Sequence, residues 1–418
     1  MELAFVDWTI MAAHQELISN CENASLASFY TRVNHLEPVI MSAFRSRIAI
    51  LSLLLLLWAC SGAQDQGNGV TGELSQDQLQ KIDFHTHFYY PRDYQVPMLK
   101  KWNMRATIVN TFSGENPSQK SWDASLNHYN QHPDRYFLCT SFDASDIDEP
   151  NFAQNVIAEL KKDIANGADM VKVWKNIGMV YQDDEGNYFQ IDDPRFEPIW
   201  DFLAKRDIPV LSHIGEPRAA WQPLDEESPH YTYYSNHPQY HFYPDPEIPT
   251  WKEIMKHRDN WIEQNPDLTI IGAHLGSMAY DVDEVARRLD QYSNFYVEPA
   301  ERFGDLAIQD SRKVRKFFME YQDRIMYGTD LRSTQPASEL TSDSLKTEGK
   351  LTRLRYQIHW DYLATSDSLQ FKRTFSSFET RTKGLGLPPE VLKKVYYENA
   401  AQLLDLEDQQ ASIGESEE

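Results

Sequence analysis

His85 and His87 stand two residues apart in the segment Lys81-Ile82-Asp83-Phe84-His85-Thr86-His87-Phe88. In an extended strand, residues i and i+2 project from the same side, so both imidazoles can reach one metal ion. Ile82, Phe84 and Phe88 are then expected on the other side, against a helical layer. Three later segments repeat the design. An apolar run at 208–214 closes on His213, one at 268–274 closes on His274, and one at 324–330 closes on Asp330. Imidazole and carboxylate suit zinc and similar divalent ions, and three or four protein ligands plus water make a catalytic rather than a structural site. Taken singly, a strand-end histidine also serves as a hydrogen-bonded structural residue, and Asp330 also reads as a helix N-cap. Recurrence at several strand ends is what argues for convergent ligands.

To converge, these residues need a scaffold that brings strand ends together. From residue 81 onward, strand-like and helix-like patterns alternate. Strands are expected near 81–88, 106–111, 136–142, 169–175, 208–214, 268–274, 294–299 and 325–330. Amphipathic helices are expected at 155–164, 196–205, 251–263 and 282–289, among others. Such alternation predicts an α/β protein, a (β/α)₈ TIM barrel with loop insertions, spanning 81–405. Every candidate ligand then falls at a strand's C-terminal end, where such barrels carry their chemistry.

The segments Asp83-Phe84-His85-Thr86-His87, Ser212-His213, Gly272-Ala273-His274-Leu275-Gly276 and Tyr327-Gly328-Thr329-Asp330 resemble those of the amidohydrolase superfamily. The resemblance is to its amidohydrolase-2 branch, which includes aminocarboxymuconate-semialdehyde decarboxylase. It extends to the closing helix Glu398-Asn399-Ala400-Ala401-Gln402-Leu403-Leu404 and covers roughly residues 80–405. By that resemblance His85, His87, His213 and Asp330 surround one divalent metal, usually zinc. His274 stands beside it as an acid/base or substrate-polarising group, and Asp330 also takes a proton from the bound water. A metal at such a site lowers the pKa of its water from about 15.7 towards about 7. Binuclear members carry a carboxylated lysine on the fourth strand. Lys172 lies in the corresponding apolar strand here and either bridges a second metal or pairs with Asp330, Glu216 or the substrate. The resemblance implies a metal-dependent hydrolase acting on an ester, lactone or amide carbonyl of a small molecule. A carboxy-lyase acting on an aromatic or unsaturated acid is the alternative, and a non-catalytic ligand-binding lipoprotein is a third class.

Two insertions stand out. Residues 218–250 follow the fifth strand and contain Trp221, His230, Tyr231, Tyr233, Tyr234, His237, Tyr240, His241, Phe242 and Tyr243. So aromatic a loop reads either as a lid or substrate platform, or as a segment packing on itself. Residues 331–355 follow the last strand, are mostly polar and read as a flexible rim. Lys175, Arg218 and Arg332 lie next to strand ends and are candidates for a substrate carboxylate, with Trp221 and His241 as further substrate contacts.

The N-terminal segment has its own logic. An apolar run at 51–58 follows Arg45 and Arg47 and leads into Ala59-Cys60-Ser61-Gly62. That pattern, over 41–60, is a secretory signal ending in a bacterial lipoprotein processing site, with Cys60 as the lipidated residue. The run is short of the ~20 residues a membrane span needs. Residues 1–40 precede the signal and read as upstream sequence; 61–80 read as a polar tether and 406–418 as an acidic disordered tail. An exported lipoprotein, periplasmic or attached to the outer membrane, is expected. Cys139 is left as the single cysteine of the body, in an apolar strand where packing is its expected role. A net charge of −23 spread along the chain argues against nucleic acid and anionic lipid surfaces as partners. Oligomeric state stays open, a dimer included.

Overall fold

A computed structural model describes residues 75–111 and 118–406. The expected upstream segment, signal, lipidation site and most of the tether and tail lie outside the described residues. The last tether residues are described, and Leu79 among them is buried against the core. Among the described residues no helix is long and apolar enough to cross a membrane.

Eight parallel strands form one sheet in the order β7-β6-β5-β4-β3-β2-β1-β8. They are β1 Lys81–His87, β2 Met104–Val109, β3 Tyr136–Ser141, β4 Ala168–Val173, β5 Val210–Ser212, β6 Ile270–Gly272, β7 Phe295–Val297 and β8 Leu331–Arg332. All eight expected strands are present, the eighth displaced. Its regular pairing with β1 covers only Leu331 and Arg332, yet the segment before it bonds on both sides. Met326 N donates to Val297 O at 3.0 Å on the β7 side, and Phe84 N donates to Tyr327 O at 2.9 Å on the β1 side. These bonds close the curled sheet into a ring, and the helices between strands pack around it. The four helices expected from periodicity lie at Phe152–Ala165, Glu197–Ala204, Trp251–Gln264 and Val282–Gln291. The third starts with a capping box, Thr250 and Glu253 each bonding the other's backbone N–H.

Two faces of β1 do not divide as simple alternation predicts. Phe88 packs with the helical layer as expected. Ile82 and Phe84, in contrast, join Val109, Phe137, Cys139, Met170, Leu211, Ile271 and Met326, one or two residues from each neighbouring strand, in the barrel interior. The cause is a bulge: Asp83 pairs with Ala106 and Thr86 with Ile108, so three steps of β1 answer two of β2. Below the bulge the even residues face inward; above it His85 and His87 do. Asp83 accordingly turns outward and accepts from Thr329 Oγ1 at 2.6 Å and Tyr356 OH at 2.8 Å. At the floor of the barrel the closing helix inserts Ala400, Ala401 and Leu404 into the interior cluster. Asn399 Nδ2 ties that helix to the ring through Gln322 O at 2.7 Å and Ile325 O at 2.8 Å.

The segment after β8 is not a flexible rim. Ser342–Ala364 is a helix of 23 residues, opened by the Thr341 side chain capping Ser344 N at 3.1 Å. Its polar exposed face hides the spacing of the side it buries, which includes Gly349, Thr352, Tyr356, His359 and Leu363. Gly349 permits close approach to the barrel, for a Cβ there would meet the Tyr94 ring at 2.9 Å. An antiparallel hairpin, β9 Ser368–Lys372 and β10 Glu379–Lys383, follows it. Its tip meets the aromatic insertion, with Thr232 Oγ1 and Ser377 Oγ 3.0 Å apart.

Candidate metal centre and its cavity

His85, His87 and Asp330 arrive at one point, each offering a ligand atom within 4.8 Å of the others'. Their hydrogen bonds fix what those atoms are. His87 Nδ1 lies 2.6 Å from Val109 O, and a carbonyl only accepts, so Nδ1 carries the proton. Burial lowers His87 to about 4 despite the adjacent Asp330 carboxylate, so the ring is neutral and Nε2 is a bare lone pair. That lone pair stands 3.1 Å from Asp330 Oδ1. Two acceptors are thus held face to face, an arrangement that calls for a cation between them.

His85 follows the same rule. Its Nδ1 meets Glu298 Oε1 at 2.7 Å, leaving Nε2 buried and without a partner. Glu298 was not among the residues singled out from sequence, although it ends the strand 294–299 just as His213 and Asp330 end theirs. Gly328 makes room for it: a Cβ there would meet Glu298 Oε2 at 2.9 Å and His85 Cβ at 3.1 Å. His274 opens a left-handed turn, with φ of +60° at His274 and +57° at Leu275. This places its Nδ1 2.7 Å from Ala300 O and its backbone N 3.1 Å from Glu298 Oε1. Its Nε2 is again the lone pair facing the cluster, 5.1 Å separating the His85 and His274 ring centroids.

His213 lies outside the three-residue group but next to it, its ring centroid 4.3 Å from that of His274. Both of its ring nitrogens are buried without a partner. Burial holds His213 well below the ordinary histidine value, with the His274 ring adding to it. Burial does the same to His274, reinforced by the Arg302 charge. Burial alone would raise Asp330, but Arg332 and His87 outweigh it and keep the carboxylate ionised. Neutral imidazoles around an ionised carboxylate are the protonation states a divalent metal needs. The donor set fits zinc or a similar ion.

Over the cluster opens a cavity of about 400 Å³. Lys175, Glu216 and Arg332 line it as the sequence suggested, and each is already engaged. Lys175 pairs with Glu216 and donates to Tyr233 OH at 2.9 Å. Arg332 reaches Asp330 Oδ2 at 3.1 Å. Lys172 does not take the Asp330 or Glu216 partner considered for it: its Nζ is buried with no hydrogen-bond partner, and burial lowers it to about 8. Arg218, Trp221 and His241 are placed away from the cavity. Arg218 lies over the Tyr280 ring at 4.1 Å, Trp221 Nε1 donates to Pro249 O, and His241 bonds Gln222 O. The aromatic insertion therefore divides its labour. His230, Tyr233 and His237 form cavity wall, while Trp221 and Phe242 pack on each other with centroids 5.0 Å apart.

An eight-stranded parallel α/β ring with a buried His/Asp cluster at its strand ends defines the class of metal-dependent barrel enzymes. The family model described as "Amidohydrolase" matches residues 82–406, and the chain belongs to that family. Among curated proteins no relative matches. Similar solved structures include an uncharacterized TIM-barrel protein from Bordetella bronchiseptica, 17% identical, covering 78% of this chain and 99% of its own, with a TM-score of 0.45. Others are 2,6-dihydroxybenzoate decarboxylase from Rhizobium, 16% identical over 79% and 99% of the two chains with TM-score 0.45, and a manganese-bound dihydroxybenzoic acid decarboxylase from Polaromonas sp. JS666, 15% identical over 79% and 98% with TM-score 0.46.

Proposed function

We propose that the chain is a metal-dependent hydrolase that cleaves an ester, lactone or amide of a small molecule, with zinc as the resident ion. The observation that carries the reading is the 3.1 Å opposition of the His87 Nε2 lone pair and Asp330 Oδ1. His85 and His87 would hold the ion through Nε2 and Asp330 through a carboxylate oxygen, and His213 beside them would offer a bare ring nitrogen. When bound, a divalent ion polarises a carbonyl oxygen and lowers the pKa of water. Every other task falls to the chain. Glu298 and Val109 O fix the tautomers of the two strand histidines. Asp330 accepts the proton that the water gives up and passes it to the bare Nε2 of His274, which Ala300 O holds towards the substrate. From there the proton goes to the departing oxygen or nitrogen, so that one water adds across the acyl bond. The wall formed by the aromatic insertion and the β9–β10 hairpin keeps bulk water from the reacting carbonyl.

A second reading is decarboxylation, and Arg332 favours it. By holding Asp330 well below its ordinary value, Arg332 makes it a poor proton acceptor. Loss of carbon dioxide needs no hydroxide, only one proton delivered to carbon, which His274 Nε2 can relay after taking it from solvent or from the substrate's own acidic group. Purified protein lacking the first 60 residues, assayed on a panel of esters, lactones, amides and carboxylic acids, separates the two. Acid release supports hydrolysis, carbon dioxide release supports the second reading, and neither product from any substrate class removes both. We further propose that the chain is exported and anchored through a lipid on Cys60.

A further inference from the structure

A second histidine and carboxylate meet in the cavity wall, outside the metal cluster. His230 Nε2 lies 2.7 Å from Asp305 Oδ1, and the two side chains are 5% and 6% exposed. His230 lines the cavity at the head of the helix Tyr231–Asn236. Asp305 comes from the short helix Phe303–Ala307 that follows β7. Burial alone would raise Asp305, but His230 and then Arg302 outweigh it, so the carboxylate is ionised and can only accept. Nε2 therefore carries a proton, and Nδ1 is the nitrogen whose state can change. With Nε2 turned back onto the short helix, Nδ1 has no hydrogen-bond partner among the described residues and is left to the cavity.

The surrounding chain holds this pair in place. Gly304 lets the insertion come close, for a Cβ there would meet Pro229 Cβ at 3.1 Å. Arg373 of the β9–β10 hairpin donates to Pro229 O, and His230 N donates to Ser228 Oγ at 3.2 Å. The Asp305 side chain hydrogen-bonds to His230 alone, its Oδ2 being buried with no partner. A packing contact would not call for a buried carboxylate with an idle oxygen, which costs the fold. A carboxylate behind an imidazole fixes its tautomer and stabilises the imidazolium, which is what a proton acceptor needs.

We propose that His230, backed by Asp305, is a second proton-transfer residue, acting on a hydroxyl or N–H that the substrate turns to this wall. Nδ1 takes that proton as negative charge develops on the substrate, and the imidazolium so formed returns it as product forms. One O–H or N–H bond of the substrate breaks while one ring N–H bond forms, and the return reverses both, so no other reactant is needed. The substrate is accordingly a small molecule carrying such a donor apart from the group that reacts at the metal. The inference rests on the reading of this cavity as the reaction site. The charged and titratable groups facing the pair are Arg302 beside Asp305, Arg373 on the hairpin and Tyr234, whose ring centroid is 6.0 Å from that of His230. Arginines stay charged, and burial holds Tyr234 well above its ordinary value, so none of the three supplies a limb of a pH profile near neutrality.

Nitrogen-15 NMR of the metal-loaded chain, labelled at histidine and titrated with phenol or with its methyl ether anisole, tests the contact. Phenol is expected to move the His230 Nδ1 resonance, assigned by its absence from His230→Gln, and anisole is expected to leave it. The pH dependence of kcat, on the panel substrate with the fastest turnover, tests the role. His230→Gln should keep its metal, lower kcat about 10²-fold and remove one limb of the profile. Asp305→Asn, which keeps the shape of the side chain, should displace that limb with little change in KM. A resonance moved by neither probe or equally by both, or limbs unchanged in both variants, overturns the assignment. So does a loss of kcat that follows loss of metal, since the pair would then only support the fold. Wild type inert on the whole panel overturns the reaction reading and this role with it, whereas turnover with unchanged limbs overturns His230 alone.

Discussion

Glu298 Oε1 lies 2.7 Å from His85 Nδ1 and 3.1 Å from the backbone nitrogen of His274, so one carboxylate oxygen sets both the ligand histidine and the proton-transfer histidine. Glu298→Gln removes the charge and keeps the shape. It is expected to weaken metal affinity or activity by about 10- to 100-fold, the usual effect of such supporting partners. Competition with a chelator measures the affinity; wild-type affinity together with wild-type turnover would show that Glu298 only packs.

His85→Ala and His213→Ala are expected to lower metal occupancy from about one ion per chain. His274→Asn should leave it near wild type while turnover falls roughly 10²-fold or more. Elemental analysis beside steady-state rates reads both quantities. If His274→Asn loses metal as readily as His85→Ala, the histidine is a ligand and the division of roles fails.

Lys172 is buried, unpartnered and lowered to about 8, against about 10.4 in an unfolded chain. Between these values the unfolded state binds more protons, so this group makes stability rise as pH climbs from about 8 towards 10.4. Its charge costs the fold on the order of 3 kcal/mol below that window. Urea denaturation of metal-free protein at pH 7.5 and 9.5 should show the rise, and Lys172→Met should flatten it. Equal slopes in the two proteins would mean that the ammonium is satisfied in the fold. Should the metal-loaded protein hold two ions, mass spectrometry should find Lys172 carboxylated.

Full-length chain expressed in a lipoprotein-processing bacterium is expected in the membrane fraction, with a mass matching a chain that starts at Cys60 plus acyl groups. Cys60→Ser should abolish the modification. A cytoplasmic product that retains Met1 would refute both the anchor and the reading of residues 1–40.

Much of the centre is legible in the sequence because parallel strands ending in His or Asp carry their own address. His85, His87, His274 and Asp330 are gathered by that rule, and His213 is brought beside them. Glu298 obeys the rule equally and was readable from Tyr296-Val297-Glu298-Pro299; a lone strand-end glutamate is simply a weaker signal than histidine. The helix Ser342–Ala364 was hidden by its charged outer face, and the β9–β10 hairpin by strands whose side chains are mostly exposed. Lys175 and Arg332 looked like substrate cations, although their partners lie 41 and two residues away.

The bulge between Asp83 and Thr86 turns two sequence neighbours, Phe84 and His85, to the same side of β1. Loss of one residue there would be absorbed, because two steps of β1 would then answer two of β2 and both halves would keep their faces. Straightening the strand with every residue kept is another matter. The lower half could still seal the barrel with Ile82 and Phe84, while both imidazoles would rotate out among the helices, a loss that no comparison of residue types alone would reveal.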